Sequence, residues 1–78
     1  MTTIKPEPSD TFIAKIRQRR NLMSVKEVAE MLGLSSETIY RMARKSRIPV
    51  LRLGLTLRFD PQMIALWLEG KQIGPRVR

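Results

Sequence analysis

Two serines and a glycine, Ser24, Gly33 and Ser35, confine the middle of this chain to short helices. Ser24-Val25-Lys26-Glu27 has the form of a capping box. The Ser hydroxyl accepts from the amide three residues on, and the Glu carboxylate reaches back to the cap amide. Val25, Val28, Ala29 and Leu32 then recur at the spacing of one helix face. Gly33 stands where a left-handed residue ends a helix without a Cβ clash, with Leu34 expected to be buried in the turn. Ser35 caps a second helix. Two short helices joined by a glycine-containing turn make a helix-turn-helix motif.

The second helix divides cleanly. At about 100° per residue, Ser36, Glu37, Tyr40, Arg41, Arg44 and Lys45 fall on one half of the cylinder. Thr38, Ile39, Met42 and Ala43 fall on the other. The first half is hydroxylated and cationic and suits the major groove of DNA, which admits one helix; an ordinary solvated face is the alternative. Pro49 ends the helical region, because the residue before a proline is pushed out of it.

Beyond Pro49, Val50–Leu53 and Thr56–Phe59 alternate around Gly54 as a β-hairpin. A three-residue loop would pair Leu53 with Leu57, Leu51 with Phe59 and Arg52 with Arg58, giving one clean apolar face. The opposed arginines would then need an anion between them. Turn chemistry favours the two-residue Gly54-Leu55 loop instead, in a type II′ turn. Burial decides the expectation for the three-residue loop. Asp60-Pro61 starts a last helix, Asp as cap and Pro at the first helical position, which runs to about Glu69 and stops at Gly70.

Residues 1–21 are expected to be a flexible segment, and residues 70–78 a flexible basic tail. Over 11–20 a short basic helix capped by Asp10 and a disordered arm are both open. Phe12, Ile13 and Ile16 would give such a helix reason to dock beside the last helix. The rival is a spare face around Met63 and Leu66 that contacts a neighbouring copy.

Charge narrows the function. Fifteen Lys and Arg against seven Asp and Glu give +8, and residues 36–58 hold six cations and one acid, Glu37. Such an excess points to a polyanion, with nucleic acid ahead of an anionic membrane surface. With neither Cys nor His, disulfides, Cys/His zinc sites and His- or Cys-based catalysis are excluded. No catalytic, metal or cofactor site is expected, and the chain reads as a non-enzyme. No apolar run approaches the length of a membrane span, and a membrane-surface protein would need a longer basic amphipathic helix. A single-strand binder would want several stacking aromatics; this chain has four aromatics in all. The N-terminus MTTIKPEPSD lacks a secretory apolar stretch, so the expected location is cytoplasmic, at the nucleoid.

Residues 22–68, LMSVKEVAEMLGLSSETIYRMARKSRIPVLRLGLTLRFDPQMIALWL, resemble the excisionase-type helix-turn-helix domain of the MerR superfamily. Val25, Glu27, Ala29, Leu32, Gly33, Ser35, Thr38, Tyr40 and Arg41 carry the likeness. It continues through Arg47-Ile48-Pro49, the hairpin and Trp67-Leu68. The resemblance implies a mainly α winged helix-turn-helix with a small β-hairpin, in the order α-α-β-β-α with flexible termini. It implies that Ser36, Glu37, Tyr40, Arg41, Arg44 and Lys45 face the groove. Arg52, Thr56 and Arg58 become the wing, and Arg47, in the basic stretch between, joins the DNA-contacting set. The implied partner is double-stranded DNA, with cooperative self-association on it and an integrase as further partners. The implied role is a recombination directionality factor (excisionase); a small transcription regulator of a mobile element is the alternative. Two positions depart from the pattern. Ser46 stands where the family usually has Gly, and Leu55-Thr56 stands where a glycine and a cation often form the wing tip.

Overall fold

The computed structural model describes residues 8–71, with side chains from Phe12 onward. The elements are α1 (Pro8–Arg17), α2 (Val25–Leu32), α3 (Ser36–Arg44), β1 (Leu51–Leu53), β2 (Thr56–Arg58) and α4 (Pro61–Glu69). The expected series from α2 to α4 is present, and a further helix precedes it. The expectations of flexible ends at residues 1–7 and 72–78 lie outside the described residues.

Within the N-terminal segment expected to be flexible the structure has a helix, α1, over Pro8–Arg17 rather than 11–20. α1 begins at Pro8, before Asp10, so Asp10 is part of the helix rather than its cap. It packs on α4 and sinks Ile13 and Ile16 into the common core, worth roughly 1.5–3 kcal/mol each. Phe12 stays outside the core and is 39% exposed. Arg17 also donates to the Glu69 carboxylate, joining the ends of the two helices.

The α2–α3 unit follows its punctuation. The Ser24 hydroxyl accepts from the Glu27 amide (3.1 Å), and the Glu27 carboxylate accepts from the Ser24 amide (2.9 Å). Gly33 is left-handed (φ 72°), and the Leu34 amide donates to the Ala29 carbonyl at 2.9 Å. Leu34 itself is exposed, contrary to the expected burial: the turn is closed by its backbone, so the side chain is left outside. Ser35 caps α3 by accepting from the Thr38 amide. The α3 C-terminus closes with Ser46 in the left-handed region (φ 55°) and the Arg47 amide on the Met42 carbonyl at 2.8 Å. The serine thus adopts the backbone conformation that a glycine would supply.

The hairpin corrects the expected register. Leu51 pairs with Arg58, Arg52 with Leu57 and Leu53 with Thr56, which is the two-residue Gly54-Leu55 loop. Gly54 has φ 66° and Leu55 has no positive φ, as a type II′ turn requires. Turn chemistry therefore prevails over burial. The physical reason lies upstream, since Ile48 is buried and Val50 is half-buried against the core. Alternation from that anchor sends Leu51 and Leu53 outward. Past the hairpin, Met23 and Phe59, both fully buried, exchange amide and carbonyl in a reciprocal pair of 2.8 Å hydrogen bonds. Asp60 then caps α4 by accepting from the Gln62 amide (2.9 Å), with Pro61 in the first turn. The shared core comprises Ile13, Ile16, Met23, Val25, Val28, Ala29, Ile39, Ala43, Ile48, Phe59, Ile64 and Ala65.

Two consequences are measurable. A non-glycine residue held left-handed costs about 1–2 kcal/mol, and the greater freedom of glycine in the unfolded chain returns part of that. A net gain of about 1 kcal/mol for Ser46→Gly should raise the melting midpoint by about 4–8 °C, and an unchanged or lower midpoint would mean that Ser46 bears no net strain. The Glu27 carboxyl is held below its ordinary value, chiefly by the Ser24 amide, which outweighs the opposing desolvation, with Arg19 adding to the lowering. A depressed folded-state value stabilises the fold above the ordinary glutamate value, about 4.3, and that contribution is lost as pH falls through the folded value. Below that pH the wild type should lose stability that Glu27→Gln never had. Thermal melts from pH 7 to pH 3 should therefore bring the two midpoints together on the acid side, and parallel curves would rule the linkage out.

Candidate nucleic-acid interface

The cationic half of α3 faces outward as the helical period requires. Ile39 and Ala43 are buried, while Thr38 and Met42 are half-buried. Ser36, Glu37, Tyr40, Arg41, Arg44 and Lys45 are all exposed. Glu37, Tyr40, Arg41 and Arg44 line one shallow groove. Glu37 sits in the first turn of α3 and Arg41 and Arg44 in the last, the arrangement that the helix dipole favours.

The ion pairs are elsewhere. Among the described residues they are Arg17–Glu69 and Arg19–Glu27. Arg41, Arg44, Lys45, Arg47 and Arg52 therefore have no carboxylate partner among the described residues. Of the carboxylates, Glu27 is held by Ser24 and Arg19 and Asp60 by the start of α4. Glu69 is taken by Arg17. The positive charge of α3 is thus left facing solvent.

The remaining predicted site residues do not form one cluster. Arg47 is exposed, but it lines a separate cleft with Ser46, Ile48, Pro49, Val50 and Trp67. Arg52 and Thr56 are exposed near the hairpin turn, whereas Arg58 is half-buried and donates to the Leu57 carbonyl at 2.8 Å. Directly opposed residues point to the same side of a hairpin. Arg52 therefore shares a side with Leu57, and Arg58 shares the other side with Leu51 and Leu53. The expectation that Arg52 and Arg58 face each other across one anion is overturned by this register.

Sequence reasoning missed the outer face of the hairpin. Leu51 and Leu53 are exposed, and Leu55 at the turn has its whole side chain in solvent (105% relative exposure). The signal was available in Ile48 and Val50, whose parity fixes the outward set. Among the described residues, no group of three or more Asp or Glu side chains is arranged to hold a metal ion, and no helix is long and apolar enough to cross a membrane.

The helix-turn-helix domain family matches residues 22–72, and the chain belongs to that family. Two proteins of Mycobacterium tuberculosis are also similar to it. They are "Putative DNA-binding protein MT0521" of strain CDC 1551 / Oshkosh and "Putative DNA-binding protein Rv0500A" of strain ATCC 25618 / H37Rv. Each is 29% identical over 69 residues, covering 87% of this chain and 88% of the relative. These matches reach beyond the 51 residues of the family match. No solved structure matches significantly.

Because Arg41 and Arg44 are exposed and have no ion-pair partner among the described residues, their removal should leave the fold alone. Arg41→Ala and Arg44→Ala should each change stability by no more than about 0.5 kcal/mol, read from urea unfolding. A larger loss would assign the side chain a structural role.

Proposed function

We propose that this protein binds double-stranded DNA in a sequence-specific way, without catalysis. In this reading α3 lies in the major groove and the hairpin lies against the backbone. The observation that carries it is the exposed, net cationic face of α3, where Arg41, Arg44 and Lys45 stand beside Tyr40 with one acid, Glu37, and form no ion pair among the described residues, on the second helix of the matched helix-turn-helix domain. The similarity to two mycobacterial proteins named as DNA-binding supports the same reading.

Arg41 and Arg44 are the base readers. A guanidinium can bond both acceptors of a guanine edge, worth about 1–3 kcal/mol of discrimination. Ser36, Glu37, Tyr40 and Lys45 complete the groove face, while Arg47, Arg52, Thr56 and Arg58 contact sugar and phosphate. Such a protein acts at the nucleoid. Within this class the excisionase role fits best, supported by the resemblance of residues 22–68. In that role copies associate cooperatively on DNA beside an integrase.

Binding to the selected site and to random duplex separates these roles. Arg41→Ala or Arg44→Ala should weaken the selected site by about 1–3 kcal/mol more than random DNA. Arg52→Ala should weaken both alike and lower the salt slope by about 0.9. Equal losses on both duplexes for Arg41 and Arg44 would move them to the backbone. An unchanged slope for Arg52 would remove the hairpin from the interface. Footprinting beside an integrase attachment site, with excision measured in the presence of that integrase, tests the finer role. Occupancy of promoters with no effect on excision would favour transcription regulation.

A further inference from the structure

The hairpin carries a surface that phosphate contact does not explain. Leu51, Leu53 and Leu55 are all exposed, and Leu55 is so completely. Isolated exposed leucines need no explanation, but three on one short hairpin in a chain with so small a core make a concentrated apolar surface. It is also a cationic one. Arg58 lies on the same side, Arg52 projects from the reverse of the strand that carries Leu51 and Leu53, and the sequence holds no carboxylate from residue 38 to residue 59. A surface both apolar and cationic complements a partner that presents apolar faces between negative charges. Stacked bases between phosphates have that chemistry. A protein partner would have to be apolar and acidic, and a second copy of the hairpin would meet its own positive charge.

The dimensions select which residue can penetrate. Strands of three residues project about 10 Å. The two strand axes stand about 4.8 Å apart, and the backbone atoms and side chains outside those axes make the ribbon wider than a minor groove of about 6 Å. The hairpin as a whole cannot enter, but the side chain at its turn can. Gly54 takes the positive φ of the turn, which leaves Leu55 outermost. With leucine there and threonine next to it, the tip has no cation with which to hold a phosphate.

We propose that Leu55 is a wedge that enters the minor groove of the bound duplex and opens one base step, bending the DNA. Apolar side chains inserted this way kink duplexes toward the major groove. The step that opens most readily is a pyrimidine–purine one, TpA or CpA, so the wedge also adds sequence preference at a position without base hydrogen bonds. Leu51 and Leu53, with Arg58 on the same side of the hairpin, lie along the groove wall, against sugar and phosphate. The proposal rests on the DNA-binding reading above.

The test uses the full chain and a duplex that it selects from a random-sequence pool, end-labelled for energy transfer. The wild type should bend this duplex. Leu55→Ala should remove most of the bend while weakening binding by about tenfold or less. Leu55→Met, which keeps an apolar reach, should retain the bend. Leu55→Lys should bind at least as tightly as Leu55→Ala at low salt yet leave the duplex straight. Replacing the pyrimidine–purine step nearest the footprint's minor-groove contact by ApA should cost the wild type affinity and leave Leu55→Ala indifferent. Because Leu55 makes no core contact, all three variants should melt like the wild type. A duplex bound tightly but equally bent by wild type and Leu55→Ala would overturn the wedge and leave DNA binding standing. Loss of self-association in Leu55→Ala, seen by sedimentation with the bend intact, would reassign the leucines to a protein contact. Failure of the wild type to select or retain any duplex at low salt would overturn both readings.

Discussion

One pair of backbone hydrogen bonds organises this small fold. Met23 and Phe59 exchange amide and carbonyl at 2.8 Å, and both side chains are fully buried. Each is followed at once by a helix cap, Ser24 for α2 and Asp60 for α4. The bridge therefore sets the starts of two helices side by side. α3 is fixed to α2 through the Gly33 turn, and β2 ends at Arg58, one residue before Phe59. The cationic face and the hairpin consequently hang from the same two residues. Such a bridge is protected because water is excluded from it; an unpaired amide or carbonyl buried there would cost about 1–3 kcal/mol.

The hairpin shows how two local rules compete and why one prevails. Pairing the leucines inward would have made an apolar face, but a face gains nothing unless something covers it. Phe59 points inward because of Met23, which turns Leu57 inward and Arg58 outward by alternation. On the other strand Ile48 is already buried and Val50 half-buried, so Leu51 and Leu53 must turn out. The turn then needs only two residues, and Gly54 supplies the positive φ. Both strands are anchored at the ends nearest the core, and the exposed leucines are the result.

What was legible in the sequence is what rests on local chemistry. Both serine caps, the Gly33 turn, the division of α3 and the Asp60-Pro61 start depend on residues within a few positions of one another. Met23 was not legible, because a single buried residue before a cap has no periodicity to reveal it. Nor was the docking of α1 decidable: Ile13 and Ile16 stabilise a helix only when α4 is there to receive them, and the sequence does not state that distance. Ser46 was legible as a departure, and the backbone around it adopts the left-handed closure regardless. For the candidate site, the α3 residues emerged together, while the sides taken by Arg52 and Arg58 depended on a register fixed from outside the hairpin.

The same division explains where the positive charge ends up. A carboxylate near a helix start is drawn to the orphan amides there, and in this chain Glu27 and Asp60 are used that way. Glu69 is drawn to Arg17 by the docking of α1 on α4, and Glu27 also engages Arg19. Folding thus pairs Arg17 of α1 and Arg19 after it, and leaves the cations of α3 and of the hairpin strands without an ion pair among the described residues. Residues 36–58, which carry six cations and one acid, keep their charge outside the ion pairs formed among the described residues. Such a cationic stretch can steer a polyanion before any specific contact forms, and which carboxylates stay away from it follows from the docking of α1 and the capping of two helices rather than from the charge count.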